Sequence, residues 1–267
     1  MKQKPTRKSH YSDGLRIYYL DWGGDSKKHM LLIHDLGDSS RTWDLISAKF
    51  REEYRVFSVE LRGHGHSDRP SDPKYKFEDF YRDINSLASS LNLDNAVVIG
   101  HGAGARLAAK LSSDNPGMVS DVVLYDFEES SISESTKWIS IEDTIEFLHS
   151  QRPRVEIDSI NRQARNLTSG GLDGSRGYIH DTSAYDVYIG GSLWDGWSGI
   201  TCSTLILRGR MSQDLTHAKA IELAELIPNS KLVELENGGH WLHQELPDEF
   251  NDVIRWFLDS TVSVNHL

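Results

Sequence analysis

Seven short runs of apolar and β-branched residues recur along the chain, and helical patterns separate most of them. Several runs are apolar throughout, as expected for strands that are covered on both faces of a sheet. The alternation predicts an α/β fold with a mostly parallel, doubly wound sheet. The predicted strands are residues 15–22, 30–34, 54–59, 96–100, 119–125, 204–207 and 231–235, and the predicted helices between them are residues 77–91, 103–115, 217–227 and 248–258.

The segment of residues 127–199 interrupts the regular alternation of predicted strands and helices. It contains two helical patterns, at residues 141–151 and 157–167, and then a glycine-rich stretch at residues 169–174. Its last third is rich in aromatic side chains, namely Tyr178, Tyr185, Tyr188, Trp194 and Trp197. We expect an insertion here, set into a core domain formed by residues 1–126 and 200–267.

The composition of the chain limits the classes of binding partner that we expect. The chain has 267 residues, enough for one substantial core, and its 29 basic and 40 acidic side chains give a formal net charge of −11. An acidic surface disfavours nucleic acid and anionic membranes, so we expect a small-molecule substrate or ligand. No secretory signal or membrane-spanning run is recognisable, and the single cysteine, Cys202, fits a reducing compartment, so we expect a cytoplasmic protein. The oligomeric state stays open.

A glycine-rich corner follows the predicted strand at residues 96–100. Residues 100–104 read Gly-His-Gly-Ala-Gly and lead into a helical stretch. This is the strand–turn–helix context of a nucleophile elbow, normally written G-x-S-x-G. The central position is Gly102, which has no side chain. The chain has therefore given up covalent catalysis, or it performs different chemistry, or its nucleophile was engineered away.

Four sequence blocks, in order and at the expected spacing, resemble the α/β-hydrolase superfamily. Residues 30–40 resemble its strand and oxyanion loop, residues 61–67 its R-G-x-G-x-S turn, residues 100–104 its elbow, and residues 238–250 the loop of its catalytic histidine. The resemblance implies an α/β-hydrolase fold in which residues 127–199 form a cap (lid) over the active site. Residues 100–106 are similar to the G-H-D-x-G-A-R elbow of epoxide hydrolases and fluoroacetate-type dehalogenases, and they fit the serine esterase elbow about as well. The ancestral nucleophile, serine or aspartate, stays open.

The resemblance places the catalytic base at His240, which follows two glycines after the last predicted strand. The histidine also comes last in the chain order of this superfamily. Two carboxylates are candidates for the acid that orients it. Asp214 follows the predicted strand at residues 204–207, where the family usually places its acid, and we favour it. Asp126 follows the strand at residues 119–125, from which some dehalogenases and cofactor-independent dioxygenases draw their acid.

The oxyanion loop departs from the family pattern at one residue. The motif makes the backbone N–H groups of Leu36 and Ala103 the oxyanion donors, whereas Asp35 stands where glycine is usual. A carboxylate inside the hole would oppose a developing oxyanion, so we expect Asp35 to face solvent and cap the loop. The remaining candidates for lining the substrate site are His101, Trp194 and Trp241. We expect no metal and no cofactor.

These features favour an enzyme that acts on a small, apolar organic substrate. Its chemistry would be His-Asp general acid/base catalysis without a covalent nucleophile: water-mediated hydrolysis, a lyase reaction or a cofactor-independent oxygenation. The alternatives are a nucleophile knockout of an ordinary serine or aspartate hydrolase and a non-catalytic, ligand-binding pseudo-hydrolase. If a covalent hydrolase is the ancestor, we expect Gly102→Ser to create ester hydrolysis.

Overall fold

A mostly parallel β-sheet forms the centre of the protein. The computed structural model describes residues 4–24, 26–72, 74–127, 137–138, 140–170, 176–184 and 196–262. In this part of the chain the sheet has eight strands: β1 (Thr6–Ser12), β2 (Leu15–Asp21), β3 (His29–Ile33), β4 (Arg55–Val59), β5 (Ala96–His101), β6 (Val119–Tyr125), β10 (Ser203–Gly209) and β11 (Ser230–Leu235). Their order across the sheet is β1-β2-β4-β3-β5-β6-β10-β11. Strands β1 and β2 pair antiparallel and β2 is antiparallel to β4, while every later pairing is parallel.

Helices cover both faces of the sheet. The central strand β5 is buried at every residue, because side chains of both faces meet helices. One apolar cluster lies on each face, and the two clusters draw on alternate residues of the same strands. No described helix is long and apolar enough to cross a bilayer. The helices of the core are α1 (Asp44–Phe50), α2 (Phe77–Ser90), α3 (Ala103–Asp114), α6 (His217–Leu226), α7 (Leu242–Glu245) and α8 (Pro247–Val262), with 3-10 turns at Ser40–Trp43 and Gly196–Gly199.

The segment between β6 and β10 contributes two helices and a small sheet. Helix α4 (Ile141–Gln151) begins with a capping box at Ser140 and Asp143, and α5 (Ile157–Leu167) follows. Strands β7 (Lys137–Trp138), β8 (Thr168–Gly170) and β9 (Arg176–Tyr178) form a three-stranded antiparallel sheet in the order β7-β9-β8. Leu148, Val155, Ile160 and Ala164 form a separate buried cluster, and Trp241 of the core packs against it.

The structure confirms the predicted α/β-hydrolase fold and each predicted strand and helix to within a few residues at their ends. Three core elements were missing from the sequence-based prediction, namely β1, α1 and the four-residue helix α7. Strand β1 is an edge strand with exposed side chains along most of its length, so it carries no apolar alternation. Helix α1 has only seven residues, too few for a clear helical period.

Candidate active site

Gly102 forms the sharp turn between β5 and α3. Its backbone has φ 54° and ψ −122°, a conformation that L-residues rarely adopt. Strand and helix approach closely here, since a Cβ on Gly100 of β5 would lie 2.3 Å from the carbonyl oxygen of Gly104 in α3. This is the geometry of a nucleophile elbow, as the sequence predicts.

The side chain of Asp35 fills the space in front of Gly102. A Cβ added to Gly102 would lie 2.0 Å from Cγ of Asp35 and 2.1 Å and 2.5 Å from its two carboxylate oxygens. A carbon–carbon bond is about 1.5 Å long. The carboxyl group of Asp35 therefore lies close to where the carboxyl group of an aspartate at position 102 would lie.

Both predicted oxyanion donors bind Asp35. The backbone N–H of Leu36 donates to Oδ1 of Asp35 at 2.8 Å, and that of Ala103 donates to the same oxygen at 2.7 Å. The expectation that Asp35 faces solvent was wrong, and its side chain is only 14% exposed. The physical reason is that Gly102 leaves room for the carboxylate, while the N–H of Ala103 at the N-terminus of α3 and the converging N–H of Leu36 attract an anion.

His240 lies on the other side of the same carboxylate. It sits in the loop between β11 and α7, which Glu245 holds by accepting the N–H of Gly239 at 2.6 Å. Nδ1 of His240 is 2.7 Å from Oδ2 of Asp126 and 2.7 Å from Oδ2 of Asp214, so the structure brings both candidate acids to the ring. Nε2 of His240 faces Oδ2 of Asp35 at 3.3 Å.

Ser212 links the two acids, which sequence reasoning missed. Its hydroxyl donates to Oδ2 of Asp126 at 2.7 Å, and its oxygen accepts the backbone N–H of Asp214 at 3.1 Å. Asp126 directly follows the last residue of β6 and is fully buried. Its backbone adopts the left-handed conformation, with φ 43°. The signal for Ser212 was its position two residues before Asp214, a spacing typical of a serine that bonds a nearby backbone N–H.

The charges around His240 stabilise its protonated form. Burial opposes ionisation of the ring, but the contacts with Asp126, Asp214 and Asp35 outweigh burial and raise the pKa of His240 well above its usual value. Burial raises the pKa of Asp126, with the charge of Asp214 adding to the effect. Burial also opposes ionisation of Asp214, yet its contact with His240 holds the pKa of Asp214 below the ordinary value. The site therefore favours an imidazolium among carboxylates.

Two further histidines hold the oxyanion loop. His34 accepts the N–H of Leu61 at Nε2, 3.1 Å away, and its Nδ1 lies 2.6 Å from the carbonyl oxygen of Asp35. His64 accepts the N–H of Gly37 at 3.0 Å. Burial lowers the pKa of His34 to about 4 and that of His64 to about 3, so both rings are neutral. They act as structural hydrogen-bonding groups in the loop that presents Asp35.

His101 and Trp241 flank His240. The ring centroid of His101 lies 4.3 Å from that of His240, and its Nε2 lies 3.1 Å from the carbonyl oxygen of His240. Trp241 packs edge-on against His240 with centroids 4.8 Å apart, and the guanidinium of Arg152 from the end of α4 lies 4.3 Å above the Trp241 ring. Two of the three residues predicted to line the site, His101 and Trp241, therefore contact His240.

The aromatic residues of the insertion are described only in part. Trp194, with Tyr185 and Tyr188, lies outside the described residues, as does the side chain of Tyr178. Trp197 is buried in the core and stacks on Phe127 with centroids 5.5 Å apart.

Two groups of side chains among the described residues have the composition of a metal site. The donor atoms of Asp35, His101 and His240 lie within 4.8 Å of one another, and so do those of Asp126, Asp214 and His240. Imidazole nitrogen and carboxylate oxygen are ligands for zinc and similar ions. His240 belongs to both groups, so a bound cation would compete with the proton on its ring.

Comparison with known proteins identifies the family. The profile described as "Alpha/beta hydrolase family" matches residues 30–253, and the chain belongs to that family. Epoxide hydrolase 4 of Mus musculus is 28% identical over 284 aligned positions, covering 92% of this chain and 77% of that protein. The 2-(acetamidomethylene)succinate hydrolase of Mesorhizobium japonicum is 23% identical and covers 86% and 88%. Both of these relatives are named as hydrolases.

Solved structures agree on the fold. The crystal structure of E-2-(acetamidomethylene)succinate hydrolase superposes with a TM-score of 0.86 at 21% identity, covering 96% of this chain and 99% of that one. A thioesterase domain from the curacin biosynthetic pathway superposes with a TM-score of 0.84 at 18% identity.

Proposed function

We propose that the protein is a hydrolase that acts on small, predominantly apolar organic molecules. In this proposal His240 is the group that transfers protons. The observation that carries the proposal is the placement of this ring. Its Nδ1 contacts Asp126 and Asp214 at 2.7 Å, and its Nε2 faces the space in front of the elbow. A histidine whose one nitrogen is oriented by carboxylates, and whose other nitrogen faces the Asp35 carboxylate at the elbow, has the arrangement of a general acid/base catalyst.

Position 102 contributes no atoms to the reaction in this proposal. A simple nucleophile knockout is disfavoured, because a Cβ at this position would lie 2.0 Å from Cγ of Asp35. Gly102 and Asp35 fit together as a pair, and a serine or aspartate at the elbow fits only when Asp35 is elsewhere or absent. The pairing favours a site that works with Asp35 in place.

We propose further that residues 127–199 form a cap domain on a core of residues 1–126 and 200–267. Support comes from the packing of Trp241, next to His240, against the apolar cluster of α4 and α5. A hydrogen bond also joins the proposed cap to the core, since Nε2 of Gln163 in α5 donates to Oε1 of Gln244 in α7 at 2.5 Å. A cap in this place would exclude water and supply apolar surface to the substrate.

The test is steady-state turnover on p-nitrophenyl acetate, styrene oxide and chloroacetate. Wild-type protein is expected to hydrolyse at least one of them, and His240→Ala is expected to lower kcat/KM by about 10²- to 10⁴-fold. His217→Ala serves as the matched control, because the His217 side chain is 60% exposed and pairs with Glu234 outside the site. Addition of EDTA is expected to change nothing.

Three outcomes would contradict the proposal. Retention of turnover by His240→Ala within threefold of wild type removes the histidine from the reaction. A loss of turnover in EDTA that zinc restores assigns the site to a metal ion. Tight ligand binding measured by calorimetry, without turnover of any compound, assigns the protein to the ligand-binding class.

A further inference from the structure

The oxyanion hole already holds an oxygen atom of the protein. Leu36 and Ala103 donate their N–H groups to Oδ1 of Asp35, at 2.8 Å and 2.7 Å. These are the two donors that an α/β-hydrolase elbow offers to the negative oxygen of a tetrahedral intermediate. While Asp35 occupies them, a substrate carbonyl has no access to the hole. The hole therefore serves the carboxyl group of Asp35 itself.

The other oxygen of Asp35 faces the reaction centre. Oδ2 lies 3.3 Å from Nε2 of His240, and the side chain retains 14% exposure, so it is not sealed from a bound molecule. The carboxyl group lies where an aspartate at position 102 would place its own, with Cγ 2.0 Å from the expected Cβ. One oxygen in the hole and one oxygen toward substrate is the arrangement that a carboxylate nucleophile needs.

We propose that Asp35 is the catalytic nucleophile, presented from the oxyanion loop instead of from the elbow, and that it attacks a saturated, electrophilic carbon such as an epoxide carbon. This inference rests on the proposed function, because it uses His240 as the proton-transfer group. In the first step Oδ2 of Asp35 forms a bond to the ring carbon and the carbon–oxygen bond of the epoxide breaks. The protonated Nε2 of His240 gives its proton to the released oxygen. The result is an ester of Asp35, a neutral histidine and a substrate hydroxyl group.

The second step returns the protein to its starting state. Neutral His240 takes a proton from a water molecule, whose oxygen attacks Cγ of Asp35. The negative oxygen of the tetrahedral intermediate is Oδ1, which the N–H groups of Leu36 and Ala103 already hold. The bond between Cγ and Oδ2 breaks, and Oδ2 leaves as the second hydroxyl group of the diol, taking up one of the two water protons. The other water proton remains on His240, and the carboxylate of Asp35 is restored.

The position of the hole favours saturated carbon over an acyl carbon. Attack of a carboxylate on an acyl group would need the oxyanion hole for the carbonyl oxygen of the substrate. Oδ1 of Asp35 already occupies the hole. Attack on saturated carbon develops negative charge on the leaving oxygen, which faces the His240 proton. The charge in the hole then develops only in the second step, on the atom that is already bound there.

Oxygen-18 tracing tests the inference on wild-type protein with styrene oxide as the probe. In a single turnover with protein in excess in H2 18O, the diol is expected to carry no label, because its new oxygen comes from Asp35. After many turnovers, the peptide that contains Asp35 is expected to gain one or two labelled oxygens, whereas the peptides of Asp126 and Asp214 gain none.

The outcomes separate this inference from the proposed function. One outcome is turnover that depends on His240, with labelled diol in the first turnover and no label in Asp35. It overturns the assignment of Asp35 as the nucleophile, since water then attacks the substrate directly, and it leaves the proposed hydrolase function standing. Turnover of p-nitrophenyl acetate without styrene oxide turnover overturns the choice of saturated carbon. Absence of turnover on every compound contradicts the proposed function, and this inference falls with it. Asp35→Asn, which retains the shape of the side chain, is expected to lower styrene oxide turnover at least 10³-fold.

Discussion

Asp35 and Gly102 exclude each other's side chains: the Cβ that Gly102 lacks would lie 2.0 Å from Cγ of Asp35. The two residues are 67 positions apart in the sequence, on the oxyanion loop and at the elbow. Each departs from the family pattern, and the two departures compensate in space. The missing elbow side chain is therefore not a vacancy, because a carboxylate from the neighbouring loop occupies its place.

Ester hydrolysis by an elbow serine is expected to require two substitutions. Gly102→Ser alone forces the Asp35 carboxylate out of its two backbone hydrogen bonds or leaves the serine displaced, so we expect little p-nitrophenyl acetate hydrolysis from it. This corrects the expectation from sequence alone that the single substitution suffices. Asp35→Gly combined with Gly102→Ser frees the hole and is expected to exceed either single variant by at least tenfold in kcat/KM. Steady-state kinetics of the three variants checks this, and a single Gly102→Ser variant as active as the double variant would refute it.

The protonation state of His240 predicts an alkaline loss of stability. Its folded-state pKa lies well above the usual value, so the ring contributes stability that is fully present below the unfolded pKa of about 6.5. That contribution is lost as pH rises from there through the folded-state pKa. Urea unfolding from pH 6.5 to pH 10 is expected to show a fall in unfolding free energy that His240→Gln lacks.

Asp35 contributes to the raised pKa of His240, so the titration of His240 also tests the contact between these two side chains. Asp35→Asn removes one of the three carboxylates at the ring, so we expect the pKa of His240 to fall. Titration of the His240 ring by NMR measures the shift directly and needs no turnover. Asp13→Asn, which alters an acidic side chain 38% exposed to solvent, is the control. An unchanged His240 titration in Asp35→Asn would contradict the contact between the two side chains.

The fold followed from sequence more completely than the site did. Buried strands such as β5 carry their signal locally, as continuous apolar runs between turn residues. The elbow, His240 and the two acids also sit in recognisable turns. The inward orientation of Asp35 has no local signal, because it depends on the space left by a glycine on another loop. The joint contact of Asp126 and Asp214 with one ring likewise depends on how β6 and β10 pair.

The ion pair of Arg62 and Asp83 is expected to be a structural requirement. Arg62 is fully buried and donates to both carboxylate oxygens of Asp83, at 2.7 Å and 2.8 Å. Arg62→Met leaves a buried, unpaired carboxylate, so the free energy of unfolding is expected to fall by about 3 to 5 kcal/mol and Tm by about 10 °C. The double variant Arg62→Met with Asp83→Leu is expected to recover most of the loss. Thermal and urea unfolding measure both, and a single variant within 1 kcal/mol of wild type would show the pair to be dispensable.

The most direct test of the account exchanges the two residues. Asp35→Gly combined with Gly102→Asp moves the carboxylate from the oxyanion loop to the elbow, where its carboxyl group falls near the original position. Measured as kcat/KM on styrene oxide, Asp35→Gly alone is expected to lose at least 10³-fold, and Gly102→Asp alone is expected to fall as well, because two carboxylates compete for one hole. The exchanged protein is expected to regain at least tenfold over either single variant. Turnover of the exchanged protein no higher than that of Asp35→Gly would contradict the claim that Asp35 stands in for the elbow nucleophile.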